Sequence, residues 1–225
     1  MPSFTQQPRE YFNLPEKPFI FLFTFHMTSI MERKNPLGLI GAFRRAFGSQ
    51  DDALLVIKTS FGARHPSELA KLYEASQGLR VKIIDEVYSQ DEMLGLMKVA
   101  DAYVSLHRSE GLGLTMAETM LLGKPVIATR YSGNLDFMDD QNSLLVDYKP
   151  IVLDRDHPPY EAGLHWAEPS LDHAAQLMRR LYEDRLFAHD LGAGAEMDLR
   201  QRLSYANSGR RMAERLATLA RSVRA

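Results

Sequence analysis

Two glutamates on either side of a glycine-containing turn carry the strongest chemical signal in this sequence. Glu110 and Glu118 are eight residues apart and bracket the segment 111–114. Eight residues of helix extend about 12 Å along the axis, whereas the paired carboxyl groups of glycosidases lie about 5 to 9.5 Å apart. The wider spacing suits the two ends of an extended ligand better than one scissile bond. A nucleotide sugar is such a ligand, with a hexose, a diphosphate and a ribose in line, and carboxylates accept hydrogen bonds well from sugar hydroxyls.

The turn between the glutamates is itself suited to binding. Gly111 and Gly113 let the chain turn sharply and let a ligand approach the backbone. A helix is predicted to begin within this segment, and its free N–H groups favour a phosphate or hydroxyl oxygen. In the alternative interpretation, Glu110 only complements the helix dipole and Glu118 is solvated, and spacing alone leaves both interpretations open.

Short apolar strands alternate with amphipathic helices up to residue 146, and they position this turn. Strands are predicted at Phe19–Phe25, Ala53–Ile57, Val81–Ile84, Ala102–Leu106, Val126–Ala128 and Ser143–Val146. Helices are predicted at Asn35–Phe47, His65–Ser76, Gln90–Val99 and Gly113–Leu122, with a short one near Leu135–Met138. This alternation predicts an α/β fold with a doubly wound, parallel six-stranded sheet, a Rossmann-like architecture. Ligands bind such sheets outside the carboxyl ends of the strands, where Glu110 lies.

The chain is predicted to have one main domain with additions at both ends. Residues 1–18 are polar and proline-rich and are interpreted as a linker or tail. Residues 19–190 form the predicted nucleotide-sugar-binding domain, although the segment 149–169 has four prolines and is expected to be a loop. A helix is predicted at Leu171–Leu186. Residues 191–225 are predicted to form a C-terminal helical segment that packs on the domain.

Composition excludes several classes of function. The 225 residues are 45% hydrophobic and 25% charged, with a net charge of -2. The chain as a whole therefore has no excess positive charge that would attract nucleic acid. No apolar run approaches the roughly 20 residues that cross a bilayer. The chain has no cysteine, which removes disulfides and thiolate chemistry. The histidines lack metal-ligand spacing, so no metal is expected.

The segment SLHRSEGLGLTMAETMLLGKPVIATRYSGNLD at 105–136 resembles retaining glycosyltransferases with the GT-B fold, especially glycosyltransferase family 4. In this resemblance, Glu110 and Glu118 form the E-x7-E signature. The similarity continues upstream through ERKNPLGLIGAF and LLVIKTS, covers roughly residues 19–150, and has a further echo in WAEP at 166–169. It implies that the chain is the C-terminal, donor-binding domain of such an enzyme.

The resemblance assigns roles to individual residues near the two glutamates. Glu118 is expected to hold the ribose hydroxyls, and Glu110 is predicted to be the catalytic residue beside the transferred sugar. Backbone N–H groups that contact sugar or phosphate are predicted at Gly111, Leu112, Gly113 and Leu114.

Other donor contacts are predicted in the loops that follow the strands. Lys34, with Arg33 as its neighbour, is expected to neutralise the diphosphate, because a fixed cation stabilises the leaving group without a metal or other cofactor. His107 is expected to line the cleft. Ser132 and Gly133 are predicted to offer backbone N–H groups to phosphate.

Three further positions come with open alternatives. Many relatives carry an arginine about six residues before the lysine, where this chain has Thr28, so Lys58 is a candidate for additional charge. Arg108 is a second candidate to face the donor. His26, at the end of the first strand, is interpreted as a structural histidine.

The resemblance also implies a reaction and a cellular setting. A hexose is expected to move from a nucleoside diphosphate-sugar to a hydroxyl with retained anomeric configuration, in bacterial surface polysaccharide synthesis. The N-terminal acceptor-binding domain is expected to be missing, so the chain alone is predicted to have little or no transferase activity. We expect a cytoplasmic protein, with peripheral association at the inner face of the membrane as an open alternative for the full-length enzyme.

Rival functions on the same fold differ in how well they fit. A non-catalytic nucleotide-sugar-binding or scaffolding domain and a nucleotide-sugar epimerase remain alternatives. A nicotinamide-dependent dehydrogenase is excluded, because the loop 26–35 contains no glycine and therefore no G-x-G-x-x-G fingerprint.

Overall fold

A computed structural model of the chain describes residues 4–222. The ends of two predicted segments, residues 1–3 of the tail and 223–225 of the C-terminal helical segment, lie outside this part. The doubly wound, parallel six-stranded sheet is confirmed, with strand order β3-β2-β1-β4-β5-β6 and helices packed against it.

The parallel sheet is built from strands of three to seven residues. These are β1 (Phe19–Thr24), β2 (Ala53–Thr59), β3 (Val81–Asp85), β4 (Ala102–Ser105), β5 (Val126–Thr129) and β6 (Leu144–Val146). A separate ribbon contains β7 (Tyr148–Val152) and β8 (His165–Pro169). The helices are α1 (Met31–Lys34), α2 (Pro36–Ala46), α3 (Pro66–Ser76), α4 (Gln90–Val99), α5 (Leu114–Leu121), α6 (Leu171–Glu183), α7 (Arg185–Arg202) and α8 (Tyr205–Ser222).

The sheet is covered on both faces, which explains its sequence. Every residue of β1, β2, β4 and β5 is buried, so these strands are continuous apolar runs rather than alternating ones. Phe21 in β1 pairs with Leu55 on one side and Ala102 on the other. Helix α2 contacts α3 and α6, α5 contacts α4 and α7, and α6 and α7 contact each other.

The direction of winding reverses between β1 and β4. From β1 the chain proceeds to β2 and β3 on one side, and β4 to β6 follow on the other. Because all six strands are parallel, their carboxyl ends share one edge of the sheet. A crevice opens at such a reversal, and it is the usual ligand site of this architecture.

The N-terminal segment 1–18 is partly built into the domain, which corrects its interpretation as a linker or tail. A 3-10 turn spans Arg9–Phe12, and Phe12 is only 2% exposed. Its ring packs on Tyr88 and against Gly95. The polar, proline-rich composition concealed one aromatic anchor, whose burial fixes the segment to the domain.

The segment 149–169 is a hairpin rather than the predicted loop. Strands β7 and β8 are antiparallel, with Tyr148 opposite Pro169 at the base. A proline breaks a central strand but fits in a ribbon with open edges, and Pro150 lies in such a position. The loop prediction therefore applies only to residues 153–164.

The C-terminal segment 191–225 does not behave as one unit. Helix α7 begins before residue 191 and belongs to the domain, since Ala195 and Leu199 are fully buried. In helix α8, every residue from 205 to 221 except Asn207 is exposed, so the predicted packing is wrong for that helix. Among residues 4–222, no helix is long and apolar enough to span a bilayer.

Candidate functional site

A cavity of about 250 Å³ lies at the carboxyl edge of the sheet. Thr24 at the end of β1, Lys58 near the end of β2 and Thr115 in the first turn of α5 line it. Thr24 and Lys58 occupy paired positions on neighbouring strands. The cavity therefore adjoins the crevice that the reversal of winding predicts. Lys34 and Tyr88 also line the cavity.

Lys34 reaches Glu110 across 76 residues of sequence. Helix α1 ends at Asn35, which adopts a left-handed conformation (φ 55°, ψ 46°). The Asn35 side chain accepts from Gly38 N–H at 3.1 Å and donates to Leu106 O at 2.9 Å. This asparagine thus fixes the short helix against the loop after β4, where Lys34 Nζ donates to Glu110 Oε2.

Glu110 is a mostly buried carboxylate with two cations beside it. Its side chain is 16% exposed, and Arg33 Nη1 lies 3.8 Å from the oxygen that Lys34 contacts. Burial alone raises the pKa of Glu110, but the hydrogen bond from Lys34 and the charges of Lys34 and Arg33 outweigh it and lower the pKa. The carboxylate is therefore ionised at neutral pH.

The loop after β5 is joined to the Glu110 backbone. Glu110 N–H donates to Ser132 Oγ at 2.8 Å, and Gly133 N–H donates to Glu110 O at 3.0 Å. Ser132 has φ 73° and ψ -148°, a strained combination for a residue with a side chain. A Cβ on Gly133 would lie 1.8 Å from Gly111 O, so only glycine fits. The Gly133 N–H that was predicted to contact phosphate is already bonded to Glu110 O. The contact predicted for the Ser132 N–H stays a prediction, and the Ser132 hydroxyl supports Glu110.

The start of helix α5 presents unoccupied donors at the crevice. Gly113 precedes the helix with φ 88°, and no side chain of the described residues caps it. The first intrahelical bond runs from Ala117 N–H to Gly113 O, which leaves the N–H groups of the first turn available. Leu112 and Leu114 are 44% and 65% exposed. The backbone contacts predicted for segment 111–114 stay a prediction, with donors in place to make them.

Glu118 lies about one turn into the same helix. It is half-buried, and within residues 4–222 its carboxylate has no hydrogen bond or ion pair. Burial raises the pKa of Glu118. Thr115, three residues earlier on the same helix face, lines the cavity and lies 3.1 Å from the buried Tyr103 hydroxyl. The structure therefore places an unpaired carboxylate next to the cavity wall.

Lys58 is a second cation of the cavity. It is 5% exposed, and its Nζ donates to Thr59 O at 3.1 Å and to Glu86 O at 2.5 Å. The same Nζ lies 4.6 Å from the centre of the Tyr88 ring. Burial is the largest influence on Lys58 and lowers its pKa. Carbonyl oxygens and a ring face stabilise this cation without cancelling its charge.

His107 and Arg108 do not face the cavity. His107 is fully buried, with Nδ1 at 3.1 Å from Ser105 Oγ and Nε2 at 3.1 Å from Tyr131 O. Burial lowers the pKa of His107, so the ring is neutral. Its contact with Tyr131 supports the loop after β5. The prediction that it lines the cleft is wrong, because the buried run of β4 extends to this residue. Arg108 is held by both oxygens of Glu168, at 2.6 and 3.0 Å.

Two features of the site escaped the sequence analysis. His26 is exposed and lines the cavity, with Nδ1 at 3.2 Å from Ser60 Oγ, rather than being a structural residue. The hairpin β7–β8 contacts the site through Glu168, and the WAEP segment that contains it was the available signal. Among the described residues, no group of three or more His, Asp or Glu side chains is arranged to hold a metal ion.

Several solved structures are similar to this chain. Sucrose-phosphate synthase from Thermosynechococcus elongatus has a TM-score of 0.67 and 19% identity, over 95% of this chain and 48% of that one. HepE from Anabaena, in complex with UDP and glucose, has a TM-score of 0.63 and 19% identity, over 89% and 48%. The C-terminal domain of LpcC, a glycosyl transferase group 1 family protein from Francisella tularensis, has a TM-score of 0.65 and 18% identity, over 90% and 96%.

These similarities establish the fold, and the chain spans about half the length of the first two proteins. The sheet and its flanking helices are those of a GT-B glycosyltransferase domain. No curated protein matches the chain at a significant level. The sequence profile described as "Glycosyl transferases group 1" matches residues 5–198, which is most of the chain. The chain therefore belongs to the glycosyl transferases group 1 family.

Proposed function

We propose that this chain is the donor-binding domain of a retaining glycosyltransferase of family 4, and that Glu110 and Glu118 are its E-x7-E pair. The ligand is a nucleoside diphosphate-sugar, extended along the start of helix α5. One observation carries the proposal: an unpaired, half-buried carboxylate and a cation-lined crevice flank the same uncapped helix start. HepE from Anabaena, which shares the fold, was solved with UDP and glucose and with UDP-glucose.

The diphosphate is proposed to lie between Lys34 and the first turn of α5. Helix N–H groups and a fixed ammonium together suit an anion. Lys34 then interacts with both the phosphate and Glu110, and Lys58, which lines the same cavity, adds a second positive charge. These protein charges do the neutralising that a metal ion does in other transferases, so we propose a metal-independent reaction.

The ribose is proposed to bind Glu118. A half-buried carboxylate without donors is energetically unfavourable, and two neighbouring hydroxyl groups supply neutral donors that relieve it. Val87, which is 70% exposed, lies with Tyr88 and Met93 in the adjoining cavity wall. These side chains offer an apolar surface to the nucleobase.

The hexose is proposed to bind beside Glu110. The bond between the anomeric carbon and the diphosphate oxygen breaks, and its electron pair leaves with the nucleoside diphosphate. The acceptor hydroxyl oxygen forms the new bond on the same face, and its proton passes to the departing phosphate oxygen. Glu110 orients the sugar through its hydroxyls, and Lys34 stabilises the charge that develops on the leaving group.

We also propose a cellular role for the full-length enzyme. Transfer of a hexose to a hydroxyl during bacterial surface polysaccharide synthesis, at the cytoplasmic side of the membrane, fits the family resemblance. In this role the acceptor is bound by another part of the full-length enzyme.

Isothermal titration calorimetry tests the proposal directly. UDP, GDP and dTDP, with UDP-glucose, GDP-mannose and dTDP-glucose, are titrated into the chain and into Glu118→Ala. We expect one nucleotide pair to bind the wild-type chain, and Glu118→Ala to weaken its binding by about tenfold, because a charged hydrogen-bond partner is lost. If no compound binds, or if Glu118→Ala binds as tightly as the wild type, the proposal is wrong.

A further inference from the structure

The hairpin β7–β8 contacts three of the segments that carry residues proposed to bind the donor. Arg108, in the loop after β4, is bound by Glu168 of β8. Arg33, in α1 after β1, lies under the ring of Tyr160 at the hairpin tip. Tyr131, in the loop after β5, donates through its hydroxyl to His165 O at 3.3 Å. This peripheral ribbon thus contacts α1 and the loops after β4 and β5, which are the segments that contain Glu110 or bond to it.

The main chains of these segments form a continuous series of hydrogen bonds. Ala167 N–H donates to Arg108 O at 2.9 Å, and Arg108 N–H donates to Arg33 O at 2.8 Å. The Arg108 side chain also donates to Glu32 O at 2.6 Å. Because the Arg108–Glu168 pair is bidentate and partly buried, it fixes the direction of both segments. The hairpin therefore sets the position of the backbone that carries Arg33.

The Arg33 side chain is held by three partners at once. Its Nη1 donates to Ser109 O at 2.8 Å and lies 3.8 Å from Glu110 Oε2. Its Cζ lies 6.0 Å from the centre of the Tyr160 ring, the outer limit of a cation–π contact. The buried Trp166 packs against Tyr160, with ring centres 5.5 Å apart, and against His157, with ring centres 5.4 Å apart.

The two cations beside Glu110 determine how much of its carboxylate is available to a sugar. Lys34 and Arg33 both approach Oε2, and Oε1 accepts from Gly111 N–H at 3.2 Å. If Arg33 moved closer, it would occupy the carboxylate more fully. The hydrogen bond to Ser109 O, the face of the Tyr160 ring and the backbone series together define the position of its guanidinium, with Nη1 3.8 Å from that oxygen.

We propose that the hairpin is a sugar-selecting element of this domain, in which Tyr160 and Glu168 are positioning residues that place Arg33 relative to Glu110. This inference rests on the proposed function and extends it to the hexose. The hairpin contributes more to the affinity for the sugar than to the affinity for the nucleotide. Lys58 and Glu118, at the nucleotide side, make no hydrogen bond or ion pair with the hairpin within the described chain.

The test compares two affinities for each variant: that of the nucleoside diphosphate and that of the matching nucleotide sugar. UDP with UDP-glucose, and GDP with GDP-mannose, are titrated by calorimetry into the wild type, Tyr160→Ala, Tyr160→Phe and Glu168→Ala. Tyr205→Ala is the matched control, because this tyrosine is 99% exposed on α8. Thermal unfolding of each variant reports any loss of folding.

We expect Tyr160→Ala to lower the ratio of sugar-nucleotide affinity to nucleotide affinity about threefold, and Glu168→Ala to lower it about fivefold. Tyr160→Phe retains the ring and keeps the wild-type ratio, and Tyr205→Ala changes nothing. An unchanged ratio in both Tyr160→Ala and Glu168→Ala overturns the inference, as does an equal loss of both affinities. If the wild-type chain binds none of these four compounds and neither dTDP nor dTDP-glucose, the proposed function itself fails, and the inference fails with it.

Discussion

The two proposed ends of the ligand site differ in how completely the protein satisfies its own polar groups. At one end, Glu110 is paired with Lys34 and Arg33, and the loop after β5 bonds to its backbone. At the other, Glu118 is half-buried and its carboxylate has no partner in the part of the chain described. The Glu110 end is therefore preorganised by internal bonds, whereas at the other end we propose that a ligand supplies the partners of the Glu118 carboxylate. The contrast distinguishes the residues that support the site from the residue that we propose binds the ligand directly.

The largest expected effect comes from the preorganised end. Gly133→Ala places a Cβ 1.8 Å from Gly111 O, a backbone atom that cannot move aside without breaking the loop. We expect a loss of roughly 3 kcal/mol in the free energy of unfolding, or roughly 6 to 12 °C in Tm for a chain of this size. Differential scanning calorimetry measures it.

Gly111→Ala is the matched control for this substitution. A Cβ at Gly111 meets no atom within 4 Å, so its Tm stays within about 1 °C of the wild type. Equal Tm values for the two variants would show that the close approach of the loops does not hold the Glu110 end together.

The second effect concerns the positive charge of Lys34. Lys34→Met removes the cation beside Glu110, whose side chain is only 16% exposed. We expect nucleoside diphosphate affinity to fall about thirtyfold, because a partly buried charge loses its partner and the phosphate loses its cation. Calorimetry measures the affinity, with the exposed Lys71→Met as control.

A double variant separates binding from stability at this position. Lys34→Met combined with Glu110→Gln removes both charges, so stability recovers relative to Lys34→Met alone while diphosphate binding stays weak. If Lys34→Met binds UDP or GDP as the wild type does, Lys34 does not contact the diphosphate.

The smallest effect is a difference in pH dependence between the two carboxylates. The pKa of Glu110 is lowered from its ordinary 4.5, since the Lys34 and Arg33 charges outweigh the effect of burial. Its stabilising contribution is therefore present above pH 4.5 and is lost as pH falls through the lowered value. The pKa of Glu118 is raised from 4.5 by burial, so the folded protein loses stability as pH rises from 4.5 through the raised value.

Melting curves of Glu110→Gln and Glu118→Gln against the wild type, from pH 3.5 to 8, measure both effects. The Glu118→Gln variant is expected to become more stable than the wild type above pH 4.5, by about 1 to 2 °C. The Glu110→Gln variant is expected to be less stable than the wild type there and to approach it at the acidic end. Parallel curves would remove the distinction between a satisfied and an unsatisfied carboxylate.

Much of the fold follows from local pattern. Continuous apolar runs such as Phe19–Thr24 and amphipathic helices between them predict the parallel sheet, because only strands buried on both faces need no alternation. The placement of Lys34 and Glu110 at the same edge of the sheet also follows, since parallel strands bring their carboxyl ends to one edge, whereas their direct contact appears only in the structure.

Other features depend on tertiary contacts that no local pattern contains. The burial of His107 depends on how the loop after β5 packs over the residues that follow β4. The role of Gly133 depends on the close approach of the loop that contains Gly111. The hairpin at 149–169 was concealed by its prolines, which an open-edged ribbon tolerates.

A crystal structure of the chain with the nucleotide sugar that calorimetry selects tests the central claim most directly. We expect both ribose hydroxyls within hydrogen-bond distance of the Glu118 carboxylate, the diphosphate between Lys34 Nζ and the N–H groups that begin α5, and the hexose beside Glu110. A nucleotide sugar bound elsewhere, or with its ribose directed away from Glu118, would contradict the account.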